Sequence, residues 1–228
     1  KIQLKISKLY KNFNQLMTHL CTRSSYSLRH PDKIAHAYYT KDSNNKVAEE
    51  KFKDEGVALV TNREPIYAST FFEYKDVSFL YKFYDSYQFH RIEKKFDKLF
   101  KFDIAKCFAS ISTFQLSKSL RDIESFNNSR GLYSFESVFE KIMNCANFGN
   151  SHGIVVGPEF SRIFAEIILQ STDVDIKNKL KDLYGLTENV DYTIKRYVDD
   201  YFLFYNDENI RKDVYKIGRH TSELQSRL

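Results

Sequence analysis

The stretch that most constrains this chain is Arg196-Tyr197-Val198-Asp199-Asp200, followed at once by Tyr201-Phe202-Leu203-Phe204-Tyr205. Two adjacent aspartates stand between runs of β-branched, aromatic and apolar residues. Such runs form strands, so residues 193–198 and 201–205 read as a hairpin with the acids in its turn. Asp-Asp is a poor tight turn beside Asn-Gly or Asp-Gly. A local rule broken inside a consistent pattern points to function. Two carboxylates at a hairpin tip make a candidate metal site.

A third acid lies upstream. Leu99-Phe100-Lys101-Phe102 reads as an apolar strand running into Asp103, with a helix start beyond it. Adjacent strands lie about 5 Å apart, so Asp103 on a neighbouring strand would aim at the same point as Asp199 and Asp200. Two-metal phosphoryl transfer needs such carboxylates: one cation activates the attacking hydroxyl, the other stabilises the leaving group. Mg²⁺ takes hard oxygen ligands and keeps water and phosphate in its shell, so two or three carboxylates suffice. Each piece also has a plain reading: Asp103 as a helix N-cap, Asp199-Asp200 as a polar turn.

Around these acids the pattern alternates helix and strand. Leu9, Phe13, Leu16, Met17 and Leu20 make a helical stripe in residues 1–20. Residues 29–31 and 62–65 read as turns, and the charged stretch 41–56 as a surface loop or exposed helix. Residues 76–99 read as one or two helices, with stripes Val77, Leu80, Tyr84 and then Phe89, Ile92, Phe96, Leu99. Lys94, Lys95 and Lys98 among them make a solvated face or, as the lesser reading, a nucleic-acid backbone contact. Residues 134–143 form an amphipathic helix bearing Phe135, Val138, Phe139, Ile142 and Met143, with Ser134 as N-cap. A loop spans 147–153. Gly157-Pro158 opens a long helix, with Pro at its first position and Gly185 as its C-cap. Hydrophobic patterning ends near Val214-Tyr215.

Composition sets outer limits. Hydrophobic residues are 42% of 228, enough for a packed core. The excess of basic over acidic residues, 35 against 30, permits a nucleic-acid partner without requiring one. Cys21, Cys107 and Cys145 are too widely spaced for a zinc site and odd in number, which points to a reducing compartment. With no apolar run of about 18 residues and no signal-peptide pattern, the chain reads as cytosolic, with no membrane partner.

Taken together and in order, three motifs resemble those of reverse transcriptases. Tyr197-Val198-Asp199-Asp200 resembles their Tyr-x-Asp-Asp signature, and Phe102-Asp103-Ile104-Ala105-Lys106-Cys107-Phe108 their first catalytic motif. Gly153-Ile154-Val155-Val156-Gly157-Pro158-Glu159-Phe160-Ser161-Arg162 occupies the place between them. The resemblance covers roughly residues 77–207. The middle motif departs from the general Leu-Pro-Gln-Gly form, with Ile154-Val155-Val156-Gly157 in its place. The Gly-Pro-x-x-Ser-Arg pattern, with Ala165-Glu166 beyond, is similar to the bacterial abortive-infection and defence-associated reverse transcriptases, which act against phage.

The resemblance implies an α+β right-hand polymerase: fingers and a palm, its antiparallel sheet carrying the catalytic hairpin and its helices packed on one face. It implies an N-terminal and fingers region at 1–98 and a palm at 99–215 with a fingers insertion around 120–152. A primer-grip hairpin and helical thumb would follow, and the chain leaves no room for them. Residues 216–228 read as a candidate non-native tail, since 217–226 resemble a translated sequencing adaptor with one base slip. The implied activity is RNA-directed DNA synthesis from dNTPs with two Mg²⁺ ions, Mn²⁺ being an alternative. Asp103, Asp199 and Asp200 would be catalytic and would hold the metals, with the Ile104 carbonyl as a further ligand. Lys106 and Cys107 would offer backbone amides to the triphosphate. Phe108 would be a sugar gate selecting dNTPs, or else a core aromatic. Gly157 would allow close approach of nucleotide or template. Ser161 and Arg162 would face the same region, Arg162 serving equally as a surface ion pair. Arg63, Arg29 and Arg91 are the fingers cations available to a triphosphate. Implied partners are an RNA template or non-coding RNA, the DNA product, and a second copy or a second polymerase subunit, in the bacterial cytoplasm.

Three alternatives stay open. The missing glutamine admits untemplated or protein-primed synthesis by the same site. An RNA-dependent RNA polymerase or cyclase-like palm also uses acids on a hairpin, though Tyr197 and Phe108 argue against it. A non-catalytic palm fragment would bind RNA or a partner subunit.

Overall fold

The computed structural model describes residues 2–35, 38–39, 65–66, 71–74, 77, 79–104, 106–121 and 133–226. The charged stretch 41–56, the turn residues 62–64 with Arg63, and residues 122–132 of the expected insertion lie outside them. The fold is mixed α+β, and its sheets are antiparallel.

The N-terminal stripe forms helix α1 (Ile2–Leu20), bent at Phe13, with Leu9, Tyr10, Met17 and Leu20 buried. Two small ribbons follow, β1 (Pro31–Ile34) with β4 (Phe72–Tyr74), and β2 (Tyr38–Tyr39) with β3 (Pro65–Ile66). Helices α2 (Leu80–Tyr84) and α3 (Tyr87–Glu93) come next, the latter capped by the Ser86 hydroxyl accepting from the Phe89 N–H. The expected helix to residue 99 ends at Glu93, and Leu99 belongs to strand β5 (Lys98–Asp103). Leu99 fits the helical stripe only by coincidence of spacing, since it also alternates with Phe100 in the strand.

Short helices α4 (Cys107–Ser110) and α5 (Gln115–Arg121) lead to α6 (Phe135–Ala146). Ser134 sits at the N-cap of α6 but makes no side-chain capping bond. The long helix α7 (Glu159–Tyr184) has Pro158 at its N-cap, one position earlier than expected, and ends as read at Gly185, whose φ is 67°. Strands β6 (Tyr192–Tyr197) and β7 (Asp200–Tyr205) and helix α8 (Glu208–Ser226) complete the order.

The main sheet runs β5-β7-β6, with β7 in the centre. Every β7 residue after Asp200 is buried, because Tyr201 through Tyr205 is apolar on both faces of the pleat. On one face Tyr192, Ile194, Tyr201, Leu203 and Tyr205 pack against Ile176 and Leu180 of α7 and Ile210, Val214 and Ile217 of α8. On the other, Phe202 and Phe204 pack against Leu28, Val77, Phe83, Phe89 and Phe96. Helices therefore cover both faces of the sheet, not one. A third core joins α1, α5, α6 and the first half of α7. Ile217, 4% exposed, extends the apolar pattern beyond Tyr215. Among the described residues no helix is long and apolar enough to cross a membrane.

Candidate functional site

The sheet register places the acids. Asp103, the last residue of β5, is the cross-strand partner of Asp200, the first residue of β7. Tyr197, the last residue of β6, is the partner of Asp200 on its other side. Directly opposed residues share a face, with Cβ atoms about 5 Å apart. Asp103, Asp200 and Tyr197 thus stand in a row across the end of the sheet. The hairpin turn is Val198-Asp199, not Asp199-Asp200, so only one acid lies in it. The Asp199 carbonyl accepts from the Ile104 N–H at 3.4 Å, which ties the turn to the end of β5.

Val198 has a φ of 60°. Positive φ at the first position of a two-residue hairpin loop is a place for glycine, and a β-branched residue there is strained. The shift of the turn by one residue follows from this. No sequence rule puts Val at such a position, and the acids looked like the better turn.

Like charge is crowded at this edge. Burial pushes the Asp200 carboxyl above its ordinary range, Asp199 and Asp103 add to the rise, and Lys101 opposes it. Lys101 donates to the Tyr84 hydroxyl at 2.7 Å and lies over the Tyr84 and Phe202 rings, at 4.9 and 5.3 Å. Asp103, Asp200, Lys101, Tyr84 and Leu80 line one open cavity of about 330 Å³. Among the described residues no three His, Cys, Asp or Glu side chains form a ready-made metal-binding group. What the edge does offer is carboxylate oxygens on Asp103 and Asp200, hard donors of the class that Mg²⁺ takes.

Lys106 is exposed, with a left-handed φ of 53°. The Cys107 amide donates to the Ile104 carbonyl at 3.1 Å, so both groups implied as ligands already engage each other. Phe108 is half-buried and packs against the third core. Gly157 is exposed at φ 115°, and a Cβ there would meet nothing within 4 Å. Ser161 is fully buried, and its hydroxyl and the Arg162 Nε are buried without hydrogen-bond partners. Arg162 and Arg29 line a small cavity of about 30 Å³ with Tyr74, Glu166 and Val198.

Of the three fingers cations, Arg29 is the one at the hairpin. Its Nη1 donates to the Tyr197 hydroxyl at 3.0 Å, and its guanidinium lies 5.4 Å from the Tyr74 ring centroid and 6.0 Å from that of Tyr197. Arg91 is exposed on α3, and Arg63 lies outside the described residues. Lys98 pairs with Glu208 at 3.1 Å, and Lys95 reaches the Asn189 carbonyl, as a solvated face would.

Behind the hairpin is a buried polar network the sequence reading missed. Arg196 is 0% exposed. Its guanidinium donates to Glu166 at 2.8 and 3.0 Å, to Asp173 at 2.9–3.2 Å, and to the Val198 carbonyl at 2.8 Å. The Tyr201 hydroxyl donates to Asp173 at 2.7 Å, and Gln170 donates to Glu166 at 2.8 Å. Burial works against the Glu166 carboxylate, but Arg196 overcomes it and holds the group below its ordinary range. Burial pushes Asp173 the other way despite the same guanidinium. The signal was present: Glu166, Gln170 and Asp173 fall at i, i+4 and i+7 on one face of α7.

No protein-family model and no curated protein sequence matches the chain. Among solved structures it is similar to telomerase from Candida albicans in complex with a TWJ fragment of telomeric RNA. The identity is 20%, the match covers 56% of this chain and 26% of that one, and the TM-score is 0.38. The chain thus spans about a quarter of that protein's length.

Proposed function

We propose that this chain carries the palm of a reverse-transcriptase-type nucleotidyltransferase, which adds dNTPs to a primer end. The observation that carries the reading is the pairing of Asp103 with Asp200 across β5 and β7, with Asp199 in the adjoining turn. Asp103, Asp199 and Asp200 would hold Mg²⁺ at the open edge of the sheet. When bound, the metal pair would lower the barrier by activating the attacking hydroxyl and neutralising the leaving phosphate. The chain's own residues do the rest. β5 and β7 hold two carboxylates at fixed spacing, Tyr197 stands beside them, and Gly157 leaves room for nucleotide or template. Arg29, beside Tyr197, is our choice of triphosphate-facing cation. The Gly157-Pro158…Ser161-Arg162 pattern supports a setting in antiphage defence.

The test is dNTP incorporation with Mg²⁺, comparing the wild-type chain with Asp199→Ala and Asp103→Asn. Loss in both variants supports the site; incorporation that survives either change overturns it.

A second reading rests on Ile154-Val155-Val156 standing where the general family carries Leu-Pro-Gln. The same acids would then extend a DNA end, or a protein hydroxyl, without copying. Incorporation that persists when template is left out selects this reading. Mg²⁺-independent RNA binding with no nucleotide turnover would instead leave a binding module.

A further inference from the structure

We infer that Arg196 is a positioning residue for the acid-bearing hairpin: it clamps the strained Val198 turn from behind and so sets where Asp199 and Asp200 stand. The inference rests on the reading of these acids as a metal site.

Three observations converge on Arg196. Its side chain is wholly buried and grips Glu166 and Asp173 of α7, the longest helix described, whose first half lies in the core. Its Nη1 reaches forward two residues to the Val198 carbonyl at 2.8 Å. Its backbone is held as well: the Arg196 N–H donates to the Tyr26 carbonyl at 2.7 Å, and its carbonyl accepts from the Leu28 N–H at 2.8 Å. A segment far upstream therefore docks along the outer edge of β6 at this one residue.

The clamp acts where the backbone most needs holding. Val198, at φ 60°, would relax toward a negative φ if free, because its branched Cβ crowds the carbonyl. Such relaxation would rotate the 198–199 peptide and carry Asp199 with it. A fully formed guanidinium bond to the Val198 carbonyl opposes that rotation. Arginine suits the task because its planar fork serves two carboxylates and a carbonyl at once, which a lysine ammonium cannot do in the same geometry.

The experiment measures Mn²⁺ binding to the full chain by the loss of the free-ion paramagnetic resonance signal, with thermal unfolding as the check on folding. Wild type should bind Mn²⁺, and Asp200→Asn should lose it. Arg196→Lys should stay folded and bind roughly 10–100-fold more weakly, the usual effect of losing a residue that orients metal ligands. Amide exchange at Asp199 and Asp200 should quicken in that variant. Adding Val198→Gly to Arg196→Lys should restore part of the affinity, since glycine adopts positive φ without strain. Should Arg196→Lys not fold, Glu166→Gln takes its place; it keeps the shape and loosens one grip, and it should weaken binding in the same direction. Undiminished Mn²⁺ affinity in either folded variant overturns the inference. So does a loss with unchanged hairpin exchange and no rescue, which would make Arg196 a stability element only. A wild type that binds no Mn²⁺ sensitive to Asp200→Asn overturns the metal-site reading itself, and the inference with it.

Discussion

Arg29 donates a 3.0 Å hydrogen bond to the hydroxyl of Tyr197, a residue 168 positions further along the chain. The same guanidinium lies over the Tyr74 and Tyr197 rings. Removing the hydroxyl in Tyr197→Phe and the cation in Arg29→Met tests how far the two act together. A double-mutant cycle from urea unfolding should give a coupling of about 1.5 kcal/mol, the low end for a hydrogen bond from a charged donor because the pair is only part-buried. A coupling near zero would mean that the pair only coexist.

Gln170 joins the upstream segment to α7. Its amide donates to the Cys21 carbonyl at 2.6 Å and to Glu166, while its oxygen accepts from the Ser24 N–H. Gln170→Leu fills similar space but leaves a buried carbonyl, an N–H and one carboxylate contact unmet. Each unmet buried group costs about 1–3 kcal/mol. We expect a loss of at least that size in unfolding free energy. A loss below about half a kcal/mol, the scale of a surface change, would show that water replaces the amide without cost.

How much of this was legible depended on the range of each cause. The strands of the main sheet were legible because Phe100, Phe102 and the run from Tyr201 to Tyr205 carry their signal locally. Gly185 was legible because only a few residues take a left-handed φ cheaply at a helix end. The turn was not, because Val198 adopts a conformation its own side chain disfavours, and forces beyond the hairpin impose it. Helix cover on both faces was implied by the unbroken apolar run in β7, but the family resemblance set the expectation of helices on one face. The Arg196 network needed two distant patterns to be joined: a strand residue facing inward, and polar residues at i, i+4 and i+7 on an apolar helix. The docking of residues 24–29 on β6 leaves no local trace at all.

The buried network should make stability depend on acid in a defined direction. The Glu166 carboxyl sits below its ordinary value of 4.5 because Arg196 outweighs the burial penalty. A carboxyl lowered on folding adds stability that is fully present above its unfolded pKa and is lost as pH falls through the folded value. Asp173, raised by burial, contributes with the opposite sign: its ionisation costs stability as pH rises. Glu166→Gln removes the first contribution and keeps the second. Thermal melts from pH 7 to about pH 3, spanning the carboxylate range, should show the stability advantage of wild type over Glu166→Gln shrinking as pH falls below 4.5. At neutral pH the variant should be weaker by about 3 kcal/mol, because it leaves a buried guanidinium underpaired. Parallel pH profiles for the two proteins would sink the assignment.

The three cysteines should separate by reactivity. All are free; Cys21 and Cys107 are buried and Cys145 is exposed. Thiolate is the reacting form. Burial pushes the Cys107 thiol up to about 12, and the nearby Asp199 charge adds to the rise. Burial likewise holds Cys21 well above its ordinary range, with Glu166 adding. Iodoacetamide at pH 8 should therefore modify Cys145 alone in the folded protein, read as one added carbamidomethyl group by mass spectrometry. Unfolding in urea should expose the other two to the same reagent. Modification of Cys107 before unfolding would mean that helix α4, which follows Asp103, opens to solvent in the folded protein.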